Sequence, residues 1–186
     1  MTLHRGPGIT LRAGHLLPIG ADPIAGGWIR LAGGQIAALG RGVPPGPAVD
    51  LGDAIILPGL VNAHTHLEFS DVERPLAGEG GLPGWIGRIV QLRRDRPAGL
   101  AAAERIRDAI DAGLRESAAC GVTLVGDIAT TVLPAAYRPD GPRVRVYREA
   151  LGLSAAAGAS AQAAAIRDLD RLVAAGLPAG ISPHAP

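Results

Sequence analysis

The chain has 186 residues, 47% of them hydrophobic, which suits one ordinary domain or a small domain joined to part of a larger one. All 18 basic residues are arginines, and the net charge of +1 gives neither a basic field for nucleic acid nor an acidic field for cationic partners. A single cysteine, Cys120, excludes an internal disulfide framework and a zinc site built from several cysteines.

The first 57 residues predict a small β-structure. Residues 1–14 lack the charged head and long apolar stretch of a signal peptide, and no run approaches the ~20 apolar residues of a membrane span. We therefore expect a cytoplasmic protein. Gly33-Gly34 between two strand-like runs is a hairpin signal, and the proline-rich stretch 43–49 predicts a loop. The predicted strands are Ile9–Ile19, Trp28–Ala32, Gln35–Leu39 and Ala54–Leu57.

After Pro58 strand-like runs alternate with helical ones, which implies βαβ units and a parallel sheet. Ile106, Ile110 and Leu114 recur at helical spacing, and Gly121 follows where a C-terminal glycine cap is favoured. The predicted strands are Leu60–His66, Val122–Ile128, Arg143–Leu151 and Gly180–His184, and the predicted helices are Trp85–Arg96, Leu100–Ala119 and Ala161–Ala175. The arginine run at 93, 94 and 96 is interpreted as a solvated helix face.

Residues 57–68, LPGLVNAHTHLE, carry the clearest chemical signal. Alternate residues of a strand share a face, so His64 and His66 project together. At the C-terminal end of a barrel strand, two adjacent imidazoles form half of a divalent-metal site, with Zn–N distances of ~2.0–2.1 Å. An isolated His-x-His is more often a pair of buried, hydrogen-bonded histidines. The apolar strand, the Pro58-Gly59 entry and the preceding β-structure favour metal binding instead.

Residues 58–66, PGLVNAHTH, resemble the first-strand signature of the amidohydrolase superfamily, and residues 1–57 resemble its N-terminal half-sandwich. The resemblance covers essentially the whole chain. It implies an α/β fold in which a small β-sandwich half-domain, residues 1–57, precedes the first half of a (β/α)8 TIM-like barrel, residues 58–186. It also implies one divalent metal, zinc in preference to ferrous iron, bound by His64 and His66 with a third His on the fifth strand and an Asp on the eighth.

The residues after His66 indicate a branch of that superfamily. Leu67-Glu68-Phe69-Ser70 lacks the Arg that usually follows the second His by two residues in the dihydroorotase-like, cyclic-amide branch. The segment resembles the chlorohydrolase and nucleoside-deaminase branch, which includes aminodeoxyfutalosine and S-adenosylhomocysteine deaminases. The resemblance implies hydrolytic deamination of an aminated purine or nucleoside-like ring, a small-molecule substrate. The alternatives are a chlorohydrolase, a cyclic-amide hydrolase, and a non-catalytic half barrel that associates with a partner or with itself; a homo-oligomer is left open.

Four residues are candidates for substrate binding. The segment 182–186, SPHAP, resembles the fourth-strand segment of that branch, whose His contacts the substrate and not the metal. His184 is therefore assigned to the substrate, the alternative being a structural His at a strand end. Glu149, at the end of a predicted strand, faces either the substrate or an arginine. Glu68 and Trp85 are further pocket candidates, with surface solvation for Glu68 and packing for Trp85 as equal alternatives.

The predicted barrel strands number four, whereas a full barrel has eight strands and typically ~250 residues. No residue of this chain corresponds to the third and fourth metal ligands or to the family's catalytic Glu, which follows the fifth-strand His. No catalytic residue is therefore assigned, and we expect a part of a longer protein that stops after the fourth strand and shows no turnover by itself. Asp127, which ends a predicted strand, is expected to cap a loop.

Overall fold

The computed structural model describes residues 8–96, 99–152 and 154–184. The chain divides into two compact units between Pro58 and Gly59, one residue beyond the boundary expected from the sequence. Each unit is built around its own sheet. Among the helices of the described ranges, none combines the length and apolarity needed to cross a membrane.

The first unit is a five-stranded sheet with the order β3-β2-β1-β4, in which β5 also pairs with β1. Neighbouring long strands are antiparallel, whereas β4 and β5 run parallel to β1. Gly33 and Gly34 form the β2–β3 turn with φ values of 60° and 75°, the positive φ that a two-residue type I′ hairpin requires. The strands are β1 (Ile9–Leu16), β2 (Ile24–Ala32), β3 (Gln35–Arg41), β4 (Val49–Asp50) and β5 (Ile55–Ile56).

The second unit is a four-stranded parallel sheet with the order β6-β7-β8-β9. Among the described residues, a short 3-10 helix and two α-helices lie between β6 and β7, a second 3-10 helix between β7 and β8, and one α-helix between β8 and β9. The parallel sheet predicted from the strand–helix alternation is therefore present. The strands are β6 (Leu60–Thr65), β7 (Val122–Ala129), β8 (Arg143–Ala150) and β9 (Ala179–Pro183), and the helices are α1 (Gly81–Asp95), α2 (Leu100–Ala119) and α3 (Ala155–Ala174).

The core of the second unit lies where α2 and α3 pack against the central strands. Val125 of β7 and Val146 of β8 are fully buried, together with Ile110 of α2 and Leu172 of α3. Burying such a side chain contributes about 1.5–3 kcal/mol. The apolar spacing of α2 predicted this face, because Ile106, Ile110 and Leu114 are all buried. This core holds the carboxyl ends of β7 and β8 in fixed positions.

Two helices begin earlier than predicted. Helix α3 starts at Ala155 and not at Ala161, because the Ser154 side chain caps it by accepting a hydrogen bond from the Ala157 N–H at 3.2 Å. Helix α1 starts at Gly81 and not at Trp85, and none of its residues is buried. Its contacts with the sheet are therefore made by long polar side chains.

Candidate functional site

The structure brings the two predicted metal ligands together. Strand β6 ends at Thr65, so His64 lies in the strand and His66 stands just beyond it, before a 3-10 helix at Leu67–Phe69. The two imidazole rings are 5.6 Å apart between centroids and inclined at 69°. The predicted strand included His66, but the backbone turns one residue earlier. The pair still projects from the carboxyl end of β6, as the alternation of side chains predicted.

The environment of His66 fits a metal ligand. Its Nδ1 atom is buried and has no hydrogen-bond partner among the described residues, whereas buried polar atoms in proteins are nearly always paired. Two neighbouring imidazoles, one with such an unpaired nitrogen, fit a divalent cation of the zinc class. Within residues 8–96, 99–152 and 154–184, no three His, Cys, Asp or Glu residues come together as a metal-binding group. The described residues therefore bring together two candidate ligands, whereas zinc sites use three or four protein ligands.

Asp127 lies in β7, two residues before the strand ends, and its carboxylate contacts the backbone next to His66. It is 1% exposed, and its Oδ1 accepts a hydrogen bond from the Leu67 N–H at 2.9 Å while its Oδ2 accepts one from the Tyr137 hydroxyl at 2.6 Å. Burial raises the pKa of Asp127, against the opposing effect of these two hydrogen bonds. Burial also raises the pKa of Tyr137. Asp127 thus caps the turn that follows His66, the role expected of it.

Glu68 is buried, and it is not the solvated carboxylate that the sequence left open. The Thr130 hydroxyl lies 2.6 Å from each of its carboxylate oxygens, and Arg93 donates to Oε1 at 3.0 Å. Glu68 lines a cavity of about 220 Å³ together with Arg93, Arg96 and Thr130. Its predicted contact with a substrate stays a prediction, since its oxygens are already occupied by protein donors.

Glu149 and His184 lie at the carboxyl ends of β8 and β9. The Glu149 side chain is 5% exposed, with Oε1 3.7 Å from His184 Nε2 and Oε2 3.6 Å from Arg93 NH2. Of the two interpretations that the sequence left open for Glu149, the arginine is therefore present. His184 is nearly half-exposed, which leaves its imidazole accessible to a ligand. The Ala185-Pro186 end of the predicted substrate motif lies outside the described residues.

The other predicted pocket residue, Trp85, is 40% exposed on α1 and does not line the cavity beside Glu68. The structure thus brings together the two histidines that were predicted to bind metal, and separately Glu68 and Glu149 around Arg93, with His184 next to Glu149. Trp85 is not part of either group. Its substrate role stays a prediction.

The interpretation of the arginine run as a solvated face is wrong for two of its three members. Arg93 contacts Glu68 and Glu149, and Arg96 donates to Asp71 at 2.7 Å with its side chain only 12% exposed. Burial lowers the pKa of Arg96. Both guanidinium groups lie 5.1 Å from the centre of the Phe69 ring, within range of a cation–π contact. In the sequence, the acidic residues Glu68 and Asp71, which precede α1, were the available signal that these arginines have ion-pair partners.

Comparison with solved structures identifies the fold. No family model and no curated protein matches the chain. A triazine hydrolase variant superimposes with a TM-score of 0.71 and 19% identity over 95% of this chain and 46% of its own. Guanine deaminase from C. acetobutylicum, solved with guanine bound in the active site, superimposes with a TM-score of 0.72 and 14% identity over 96% of this chain and 46% of its own.

The chain therefore spans about half the length of these two structures, 46% in each case. At such identities the likeness shows the fold alone. What the comparison shows is that this chain shares its arrangement of strands and helices with about half of each of these two structures.

Proposed function

We propose that this chain is the metal-binding part of an amidohydrolase-superfamily enzyme that removes an amino group by hydrolysis from an aminated purine or nucleoside-like ring. The observation that carries the proposal is the His64–His66 pair, with ring centroids 5.6 Å apart and a buried, unpaired Nδ1 on His66. The fold supports it, because a guanine deaminase and a triazine hydrolase share this arrangement of elements.

In this proposal His64 and His66 hold one divalent cation, zinc in preference to iron. When bound there, such a cation would supply Lewis acidity and so make a nucleophile available from water at neutral pH. The remaining ligands and the general acid come from residues that this chain does not contain. The part of the barrel formed by β6 to β9 then supplies one side of the site.

In this proposal Asp127 and His184 orient the His66 imidazole and the substrate, respectively. Asp127 holds the backbone directly after His66, so it fixes the direction from which that imidazole approaches the cation. His184, half-exposed and backed by the Glu149 carboxylate, presents an imidazole edge to a ring substrate at the carboxyl end of β9. Glu68 lines the neighbouring cavity. Each of these is a positioning role.

Hydrolytic removal of a different ring substituent is the second candidate. It is favoured by one observation, the fold shared with a triazine hydrolase at a TM-score of 0.71, because one fold serves several leaving groups. Ammonia release from aminated purines by the longer protein that this proposal requires supports deamination. Activity confined to chlorinated rings or cyclic amides contradicts it.

Metal binding is tested on the chain itself. Cobalt(II), a spectroscopic substitute for zinc, is titrated into the wild-type chain and followed by visible absorption. We expect one weak site, which His64→Ala and His66→Ala each weaken by at least tenfold. His15→Ala, an exposed histidine of the first unit, serves as the matched control and leaves the affinity unchanged. Absence of binding by the wild type, or binding that His15→Ala removes, overturns the proposal.

A further inference from the structure

We infer that Arg93 is a positioning residue that joins the carboxyl ends of β6 and β8, and through them aligns the predicted metal pair with His184. Its NH2 atom lies 3.0 Å from Glu68 Oε1 and 3.6 Å from Glu149 Oε2. Glu68 follows His66 by two residues, and Glu149 faces His184 at 3.7 Å. The purpose of this alignment rests on the proposed function. The contacts of Arg93 do not depend on it.

The charge arrangement makes Arg93 necessary. Glu68 and Glu149 are 7% and 6% exposed, and a buried carboxylate is costly unless it is paired with a cation. Thr130 donates a hydrogen bond to Glu68 but carries no charge. Glu149 Oε2 has no hydrogen-bond partner among the described residues, and Arg93 is the cation nearest to it. One guanidinium group therefore contacts two carboxylates, one in the 3-10 helix that follows β6 and one on β8.

The position of Arg93 depends on these same contacts. Helix α1, which carries it, has no fully buried residue, and its apolar residues Ile89 and Leu92 are only partly buried. The Arg93 guanidinium is fixed by Glu68 on one side and by the Phe69 ring, 5.1 Å away, on another. Arg93 and its partners therefore hold one another in place.

The inference predicts a specific pattern of rescue. Arg93→Met removes the guanidinium that reaches both buried carboxylates and leaves Glu149 facing the His184 imidazole, so we expect the unfolding equilibrium constant to rise roughly 10–100-fold, a value reduced because Arg93 itself is partly exposed. In the triple variant Glu68→Gln, Glu149→Gln, Arg93→Met, neutral amides replace both carboxylates and the constant returns to within about tenfold of the wild type. Arg93→Lys keeps the positive charge, but a lysine ammonium lacks the planar guanidinium that contacts both carboxylates. We expect an unfolding equilibrium constant between those of the wild type and Arg93→Met.

Urea unfolding of the 186-residue chain measures these constants. Arg94→Met is the matched control, since Arg94 is the exposed neighbour of Arg93 on the same helix, and it leaves the constant unchanged. If Arg93→Met fails to fold, the triple variant still decides the question, because it folds only if charge compensation is the role of Arg93. A triple variant no more stable than Arg93→Met overturns the inference, since that result identifies a packing role.

Alignment has its own readout. In ¹H–¹⁵N spectra of the chain, Arg93→Met shifts the signals of His184 and His66 and leaves those of His15 in place, whereas Arg94→Met shifts none of them. In the cobalt titration Arg93→Met weakens binding about tenfold, the lower end of the effect expected when support for a metal ligand is removed. Unshifted His184 and His66 signals contradict the inference.

These results separate the inference from the proposed function. A wild-type chain that binds no cobalt removes the metal site, yet the rescue by the triple variant and the His184 shift still report on Arg93. A chain that binds cobalt through His64 and His66 but shows neither rescue nor shift keeps the metal site and removes the role of Arg93.

Discussion

The carboxylate of Asp127 accepts a hydrogen bond at 2.9 Å from the backbone N–H of Leu67, the residue directly after His66. The second oxygen of Asp127 is occupied by the Tyr137 hydroxyl at 2.6 Å. A buried side chain of β7 therefore determines the path of the backbone where β6 ends. The direction of the predicted metal ligand depends on the neighbouring strand as well as on its own.

Replacement of Asp127 tests this support. Asp127→Ala leaves the Leu67 N–H and the Tyr137 hydroxyl buried without an acceptor, and each such group costs about 1–3 kcal/mol. We expect a loss of roughly 2–5 kcal/mol in the free energy of unfolding. Asp127→Asn retains an oxygen for Leu67 and an amide that can donate to the Tyr137 oxygen, so it loses much less. Urea denaturation measures both, and equal losses contradict the hydrogen-bond account.

The raised pKa of Asp127 gives stability a defined pH dependence. Because burial raises the pKa of Asp127 above its ordinary value of 3.8, the folded chain binds the proton more tightly than the unfolded chain. Its contribution to stability therefore grows as the pH falls through the folded-state pKa towards 3.8, and is lost as the pH rises again. Urea midpoints of the wild type and Asp127→Asn at several pH values from 7 to 4 measure it. A difference that stays constant or moves in the opposite direction contradicts the assignment.

Two helical glycines predict opposite effects of the same substitution. A Cβ at Gly113 of α2 would meet the Ser70 Oγ and lie 2.9 Å from Leu67 Cδ2, whereas a Cβ at Gly87 of α1 meets nothing within 4 Å. Gly113→Ala should cost about 1–2 kcal/mol, because overpacking outweighs the gain in helix propensity. Gly87→Ala should gain up to about 1 kcal/mol. Shifts of the same sign in thermal or urea unfolding contradict this packing of α2.

Two adjacent residues of α3 test the location of the core. Leu172 is fully buried and Val173 is 60% exposed. Leu172→Ala should lower the free energy of unfolding by about 2–5 kcal/mol, since it leaves a cavity against the sheet. Val173→Ala should change it by no more than ~0.5 kcal/mol. Comparable losses in the two variants show that α3 packs with a different face.

Local patterns predicted the elements that depend on local physics. The spacing of Ile106, Ile110 and Leu114 gave α2, and the alternation along β6 placed His64 and His66 together. The expected unit boundary lay one residue from the observed division at Pro58. The two-residue strands β4 and β5 were harder to predict from the sequence, because their pairing with β1 joins residues distant in sequence.

The role of Arg93 could not be derived from its own segment. Its partner Glu68 lies in the 3-10 helix after β6 and its partner Glu149 lies on β8, and only the parallel order β6-β7-β8 brings them to one end of the sheet. An arginine near the end of an amphipathic-looking helix is usually solvated. The sequence did not reveal the tertiary contacts of α1. In the structure, none of the residues of α1 is buried.

The way α1 is attached makes it sensitive to ionic strength. Mobile ions screen exposed charges over ~10 Å at 0.1 M salt and ~3 Å at 1 M, and they screen partly buried pairs less strongly. Concentrated salt therefore weakens the ion pairs of Arg93 and Arg96. The apolar contacts among Ile110, Val125 and Leu172 stay intact or become stronger. In 1 M sodium chloride, a protease should therefore cleave first within α1, between residues 81 and 95, before the rest of the chain unfolds.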